Sequence, residues 1–172
     1  MHSALVMTVI GMDRPGLIES IARLVAEHGG NWLDSRMCRL GGEFAGILRV
    51  EVPQGTKALI DSLQALQAQG ITVIVRPDQS APRITPARTA SLSLIGQDRP
   101  GIVHQISAAL ANQSINVEEL ETECSSAPMS GETIFRALAK LQIPETCVIS
   151  ELRRELEEIG SELMVEISFS ET

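Results

Sequence analysis

The stretch Ile-Gly-Met-Asp-Arg-Pro-Gly, Ile10 to Gly16, returns as Ile-Gly-Gln-Asp-Arg-Pro-Gly at Ile95 to Gly101, 85 residues later in a chain of 172. The register persists outward from it. Leu17, Ile18 and Ile21 meet Ile102, Val103 and Ile106, and Ala26 and Asn31 meet Ala111 and Asn116. A period this long exceeds that of solenoid repeats and suits two globular modules of roughly 80 residues, each able to fold alone around a thin core.

Each copy opens with a short apolar run ending in glycine, Leu5 to Gly11 and Ala90 to Gly96, as a buried strand does. The apolar spacing then changes to a helical period at Leu17, Ile21, Leu24 and Val25, predicting helices over Pro15–His28 and Pro100–Gln113. Proline suits a first helical position because the N–H it lacks has no intrahelical partner there, and Gly29-Gly30 stops the first helix. Asn31–Leu40, and Ile115 to about Cys124, read as second strands. Gly41-Gly42 reads as a hairpin turn into a strand over Glu43–Val52, with Phe44, Gly46, Leu48, Val50 and Val52 on one face. Thr56 is a candidate cap for a helix with an apolar stripe at Leu59, Leu63 and Leu66, and Gly70 leads to a last strand, Ile71–Arg76.

The second copy repeats this plan until the offset grows from 85 to 91, where Phe44 meets Phe135, so six residues are added near Ser125 to Gly131. Their small, polar character predicts an exposed loop. Leu152, Leu156 and Ile159 mark the second helix of this copy, and Leu163–Phe169 its last strand. Right-handed crossovers turn the order β-α-β-β-α-β into an α+β fold. It comprises two ferredoxin-like βαββαβ modules, each a four-stranded antiparallel sheet with both helices on one face. The modules are expected at residues 1–76 and 90–172, joined by a proline-rich, semi-stiff linker at 77–89.

Composition narrows the function. With 44% hydrophobic but only 2% aromatic residues, the cores must be built from aliphatic side chains and methionine. No apolar run approaches the ~18–20 residues of a membrane span and no secretory leader is evident, so a cytoplasmic protein without membrane association is expected. Cys38, Cys124 and Cys147 are odd in number and lack paired spacing, which predicts free thiols. Residues 1–76 carry seven basic and seven acidic side chains, whereas 90–172 carry five and fourteen. Duplex binding needs a basic face to displace counterions, so direct nucleic-acid binding is not expected. Glu118, Glu119, Glu121 and Glu123 read as the solvated side of an edge strand. With no nucleophile–base pair, metal cluster or phosphate-cradling loop, the chain reads as neither an enzyme nor the holder of a metal or cofactor.

The repeated motif falls in the loop between first strand and first helix, at the same end as the hairpin, where unpaired helix N–H groups and the helix dipole favour an anion. Locally, Asp13 and Asp98 would cap the helix, Pro15 and Pro100 begin it, and Gly16 and Gly101 relieve crowding against the sheet. A compatible functional reading gives a ligand carboxylate the backbone N–H groups, its ammonium an Asp, and Asn31 or Asn116 a second polar contact.

A βαββαβ unit with Gly-x-Asp-Arg-Pro-Gly after the first strand and Asn eighteen residues beyond the Asp resembles the ACT domain, an amino-acid-binding regulatory module, and nearly the whole chain shares the resemblance. The resemblance implies a ligand at the junction of two modules, held by Gly11, Asp13, Arg14, Pro15, Gly16 and Asn31, and by Gly96, Asp98, Arg99, Pro100, Gly101 and Asn116. Some serine-binding members carry histidine where this chain has Gly11 and Gly96, a change that leaves room and removes a polar contact. Among ACT proteins the chain is similar to free-standing paired-module repressors. That similarity implies a small amino acid as ligand, glycine favoured, and a DNA-bound regulator of the LysR type as partner, with further homo-oligomerisation open. A ligand-free assembly module is the alternative.

Overall fold

A computed structural model describes residues 2–53, 57–79, 88–127 and 131–171. The chain divides into two compact units between residues 82 and 83. The first contains β1 (His2–Met12), α1 (Leu17–Glu27), β2 (Asn31–Leu40), β3 (Glu43–Pro53), α2 (Lys57–Ala65) with a 3-10 turn (Leu66–Gln69), and β4 (Ile71–Pro77). The second contains β5 (Arg88–Gln97), α3 (Ile102–Asn112), β6 (Asn116–Ser126), β7 (Thr133–Ile143), α4 (Ile149–Leu163) and β8 (Val165–Glu171).

Strand order is β2-β3-β1-β4 in the first sheet and β6-β7-β5-β8 in the second, with every neighbouring pair antiparallel. This is the ferredoxin-like arrangement, with the first and third strands of each module at its centre. Alternation then decides the core. Leu5, Met7 and Val9 on β1 and Leu48, Val50 and Val52 on β3 are buried, and Leu17, Ile21, Val25, Leu59 and Leu63 pack on them from the helices. The second core repeats this with Leu92, Leu94, Leu141 and Ile143 beneath Ile102, Ile106, Leu110, Leu152 and Leu156.

Gly41 and Gly42 both have positive φ, 60° and 89°, as a two-residue turn matched to strand twist requires. The added residues of the second hairpin are not all loop. Ser126 pairs with Thr133, extending the ladder by one step, and the Ala127 N–H donates to the Glu132 carbonyl at 2.8 Å across the connection. Residues 128–130 lie outside the described residues, as do Thr56, the candidate cap, and linker residues 80–87.

Several boundaries move. Pro77 pairs with Leu5, so the first residue read as linker belongs to the first sheet, and the next, Asp78, is fastened to it by its N–H, which donates to the Ala4 carbonyl at 2.9 Å. The Asp78 carboxylate also meets Arg49 Nε at 2.6 Å, and this hydrogen bond and charge hold the Arg49 guanidinium above its ordinary pKa. Arg88 already pairs with Ile143, before the expected strand start at Ala90. Leu163 belongs to α4 rather than to the last strand, because Met164 takes a left-handed conformation, φ 55°, that ends the helix after it.

The glutamate strip does lie on an edge strand, β6, where Glu119, Glu121 and Glu123 stand opposite Lys140, Leu138 and Arg136. Glu119 approaches Lys140 Nζ at 3.8 Å. No described helix is long and apolar enough to cross a membrane.

Cys38 and Cys124 are exposed and Cys147 is buried, with burial the main cause that raises its thiol pKa. Because the thiolate is the reactive form, a thiol reagent should modify two cysteines rapidly and the third only after unfolding. Three equally fast thiols would contradict the burial of Cys147.

Candidate functional site in the Asp-Arg-Pro-Gly loops

Both motif loops are fastened from two sides. On one side the Asp13 N–H donates to the Gly42 carbonyl at 3.0 Å and the Asp98 N–H to the Thr133 carbonyl at 2.8 Å, tying each loop to its hairpin. On the other, Arg14 donates to the Gln69 carbonyl at 3.4 Å, and Arg99 lies 3.8 Å from the Met164 sulfur. Each arginine therefore reaches the corner where the module's second helix gives way to its last strand. The sequence assigned both arginines to the ligand; the structure turns them toward this corner.

The helix starts differ from the local reading. α1 begins at Leu17 and α3 at Ile102, one residue past the motif, and neither has a side-chain cap. Asp13 and Asp98 therefore do not cap, and Pro15 and Pro100 lie before the helix. Gly16 and Gly101 occupy the cap position with φ of 86° and 97°, a left-handed conformation that glycine adopts without penalty. A Cβ on either would meet nothing within 4 Å, so backbone conformation, rather than crowding against the sheet, selects glycine there. In α1 the Leu17 N–H donates to the Arg14 carbonyl at 3.4 Å; the other first-turn N–H groups of the two helices have no intrahelical acceptor and no side-chain cap, and form a small donor set beside the Asp.

Crowding operates instead at Gly11 and Gly96. A Cβ on Gly11 would stand 2.8 Å from the Gly70 carbonyl oxygen, and one on Gly96 would stand 2.8 Å from Val165 Cα. The absent side chain makes room for the last strand of the module.

Asp13 and Asp98 differ in their surroundings. Arg39 Nε on β2 lies 2.6 Å from the Asp13 carboxylate, whereas the 85-residue offset puts Cys124 at the position of Arg39 in the second module. Asp98 is exposed and no described cation neutralises it. Arg39 was absent from the residues chosen by motif. Its only sequence signal was the Arg-to-Cys difference between repeats.

Asn31 and Asn116 do not join the loops of their own modules. Asn31 and Ala4 both pair with Glu51, at the opposite end of the sheet from Asp13, nine residues and roughly 30 Å along β1 at ~3.3 Å per residue. Asn116 and Thr89 stand likewise across Gln142, as far from Asp98. A ligand the size of an amino acid cannot touch both the Asp and the Asn of one module. Among the described residues no three His, Cys, Asp or Glu side chains gather as a metal site would need.

Comparison with known proteins agrees with the fold. The ACT domain family model matches residues 3–76. The chain is 29% identical over 125 residues to the glycine cleavage system transcriptional repressor of Escherichia coli (strain K12), an overlap of 72% of this chain and 66% of that protein, so the chain spans just under two thirds of that relative's length. A crystal structure of an unknown protein from Galdieria sulphuraria superposes with a TM-score of 0.90 at 30% identity, covering 100% of this chain and 99% of that one. A crystal structure provisionally assigned as a glycine cleavage system transcriptional repressor shares the fold, with a TM-score of 0.71, 22% identity and coverage of 100% and 98%. The first module matches the family model and the second repeats its motif, strand order and loop geometry: the chain belongs to the ACT-domain family and carries the module twice.

Proposed function

We propose that the chain is an amino-acid-responsive regulator of transcription that acts through a protein partner, neither binding DNA itself nor catalysing a reaction. The observation that carries this reading is the Asp98 loop. It is tied to the hairpin by the Asp98 N–H and reaches the helix corner through Arg99, presents uncapped helix N–H groups, and sets beside them an exposed carboxylate that forms no ion pair among the described residues. A zwitterionic amino acid offers the complementary pair of charges. The relationship to the Escherichia coli repressor makes glycine the first ligand to test and a DNA-bound regulator of the LysR type the first partner. The acidic excess of the second module suits a partner with a basic surface.

A ligand of about five heavy atoms, at a ceiling of ~1.5 kcal/mol per atom, reaches low micromolar affinity at best, a range that suits a metabolite sensor. The two loops should not bind alike, because Arg39 already neutralises Asp13. An exposed pair of this kind is worth about 0–1 kcal/mol, so the first loop should bind a few-fold more weakly than the second. Calorimetry with glycine and other small amino acids tests the reading: Asp98→Ala should lose most of the heat and Asp13→Ala less. A ligand-free assembly module is the second reading, favoured by the structural work that Asp, Arg and Gly of the motif already perform. Absence of heat with every amino acid would select it.

A further inference from the structure

The two sheets differ on the face turned away from their helices. Residues opposite one another on paired strands share a face, so the registers gather Val6, Ile10 and Met12 of β1, Ile47 of β3 and Ile74 of β4 on the open face of the first sheet. Met12, Ile47, Ile74 and Ile10 are 72%, 55%, 52% and 46% exposed. In the second module Ser91, Gln97 and Ser168 take the places of Val6, Met12 and Ile74. The fold therefore does not require apolar residues there, and a contiguous apolar patch that the fold does not require marks a contact surface.

The charges around the patch select what covers it. The strand order β2-β3-β1-β4 sets Asp34 at one edge of the row through Val6 and Arg76 at the other, with Arg49 between Asp34 and Val6. Arg76 is exposed and makes no ion pair among the described residues, and Asp34 meets Arg49 only at 3.7 Å. Two such faces can stack as in a β-sandwich, ~10 Å apart with their strands nearly aligned. A twofold axis parallel to the strands lays β2 of one copy over β4 of the other, so that Asp34 of each copy faces Arg76 of the other and the isoleucines fill the middle. A twofold across the strands lays β2 over β2 and brings no Asp34 to an Arg76. The face is therefore complementary to itself in one orientation.

We infer that the chain forms a twofold homodimer in which the open faces of two first modules pack together, with Ile10, Ile47 and Ile74 at the centre and an Asp34–Arg76 pair at each edge. This requires neither the ligand nor the regulator proposed above. Four strands ~4.8 Å apart and the seven residues of β4 at ~3.3 Å each give a face on the order of 450 Å² in projection, or about 900 Å² for the pair. That is close to the ~1,000 Å² of a specific interface and predicts a reversible dimer with a dissociation constant in the micromolar range.

The test is sedimentation equilibrium of the full chain from micromolar to submillimolar concentration. The unmodified chain should dimerise reversibly, and Ile47→Glu, at an exposed position, should remain monomeric with an unchanged circular dichroism spectrum. Asp34→Arg and Arg76→Asp should each weaken association roughly tenfold, and the double variant, which exchanges the two charges, should return to within about threefold of the unmodified chain. That rescue separates an interface pair from variants that have lost their fold. A monomer at every concentration, a dimer indifferent to Ile47→Glu, or no rescue in the double variant would overturn the assignment.

Discussion

Leu156→Ala should destabilise the second module by about 2–5 kcal/mol, the range for truncating a buried leucine. Leu156 is 2% exposed and lies one turn beyond the fully buried Leu152 on the face of α4 that closes the core. A module of about 80 residues has a total stability of only about 4–12 kcal/mol. With only two aromatic side chains, Phe135 and Phe169, in this core or against it, there is little other bulk to spread the loss. Urea titration followed by circular dichroism should show the second module melting earlier, with the first near its original midpoint as reported by Trp32 fluorescence. A loss below about 1 kcal/mol would mean that α4 is not the lid of the core.

Replacing Gly96 should have the second large effect. A Cβ there meets the Val165 Cγ1 atom and stands 2.8 Å from Val165 Cα, and the backbone contact cannot rotate away. Overpacking of this kind costs about 1–3 kcal/mol for alanine, with more expected for histidine, because β8 must separate from β5 to admit it. Gly101→Ala provides the contrast. Its Cβ enters open space, and the penalty arises only from the left-handed backbone, φ 97°, at about 1 kcal/mol. Equal tolerance of histidine and alanine at Gly96, read from urea midpoints, would contradict the close approach of the two strands.

Most of the fold could be read from residue order alone, because period-2 and period-3.6 spacings are local signals that the repeat supplies twice. Asn31–Leu40 is a strand with the expected bounds, and Gly41-Gly42 forms the expected turn. The failures occur where a residue answers to something distant. Asp13 resembles a helix cap locally, but the hairpin holds its N–H and Arg39 its carboxylate. Gly11 resembles a vacated ligand position until β4 is placed against it. Asn31 is eighteen residues from Asp13 in sequence, and the helix between them carries the chain back to the other end of the sheet. Such facts depend on tertiary register, which one copy of a motif does not contain. The comparison of copies contained more: Arg39 against Cys124 and Met12 against Gln97 mark the unequal loops and the unequal open faces.

Backbone NMR titration of the intact chain with glycine and other small amino acids tests the central claim, that the repeated loop is the ligand site, most directly. Saturable shifts should concentrate at Asp98 to Val103, with a weaker response at Asp13 to Ile18, and Asp98→Ala should abolish the stronger set. Saturable shifts elsewhere that leave both loops unmoved, or no shifts at millimolar ligand, would contradict it.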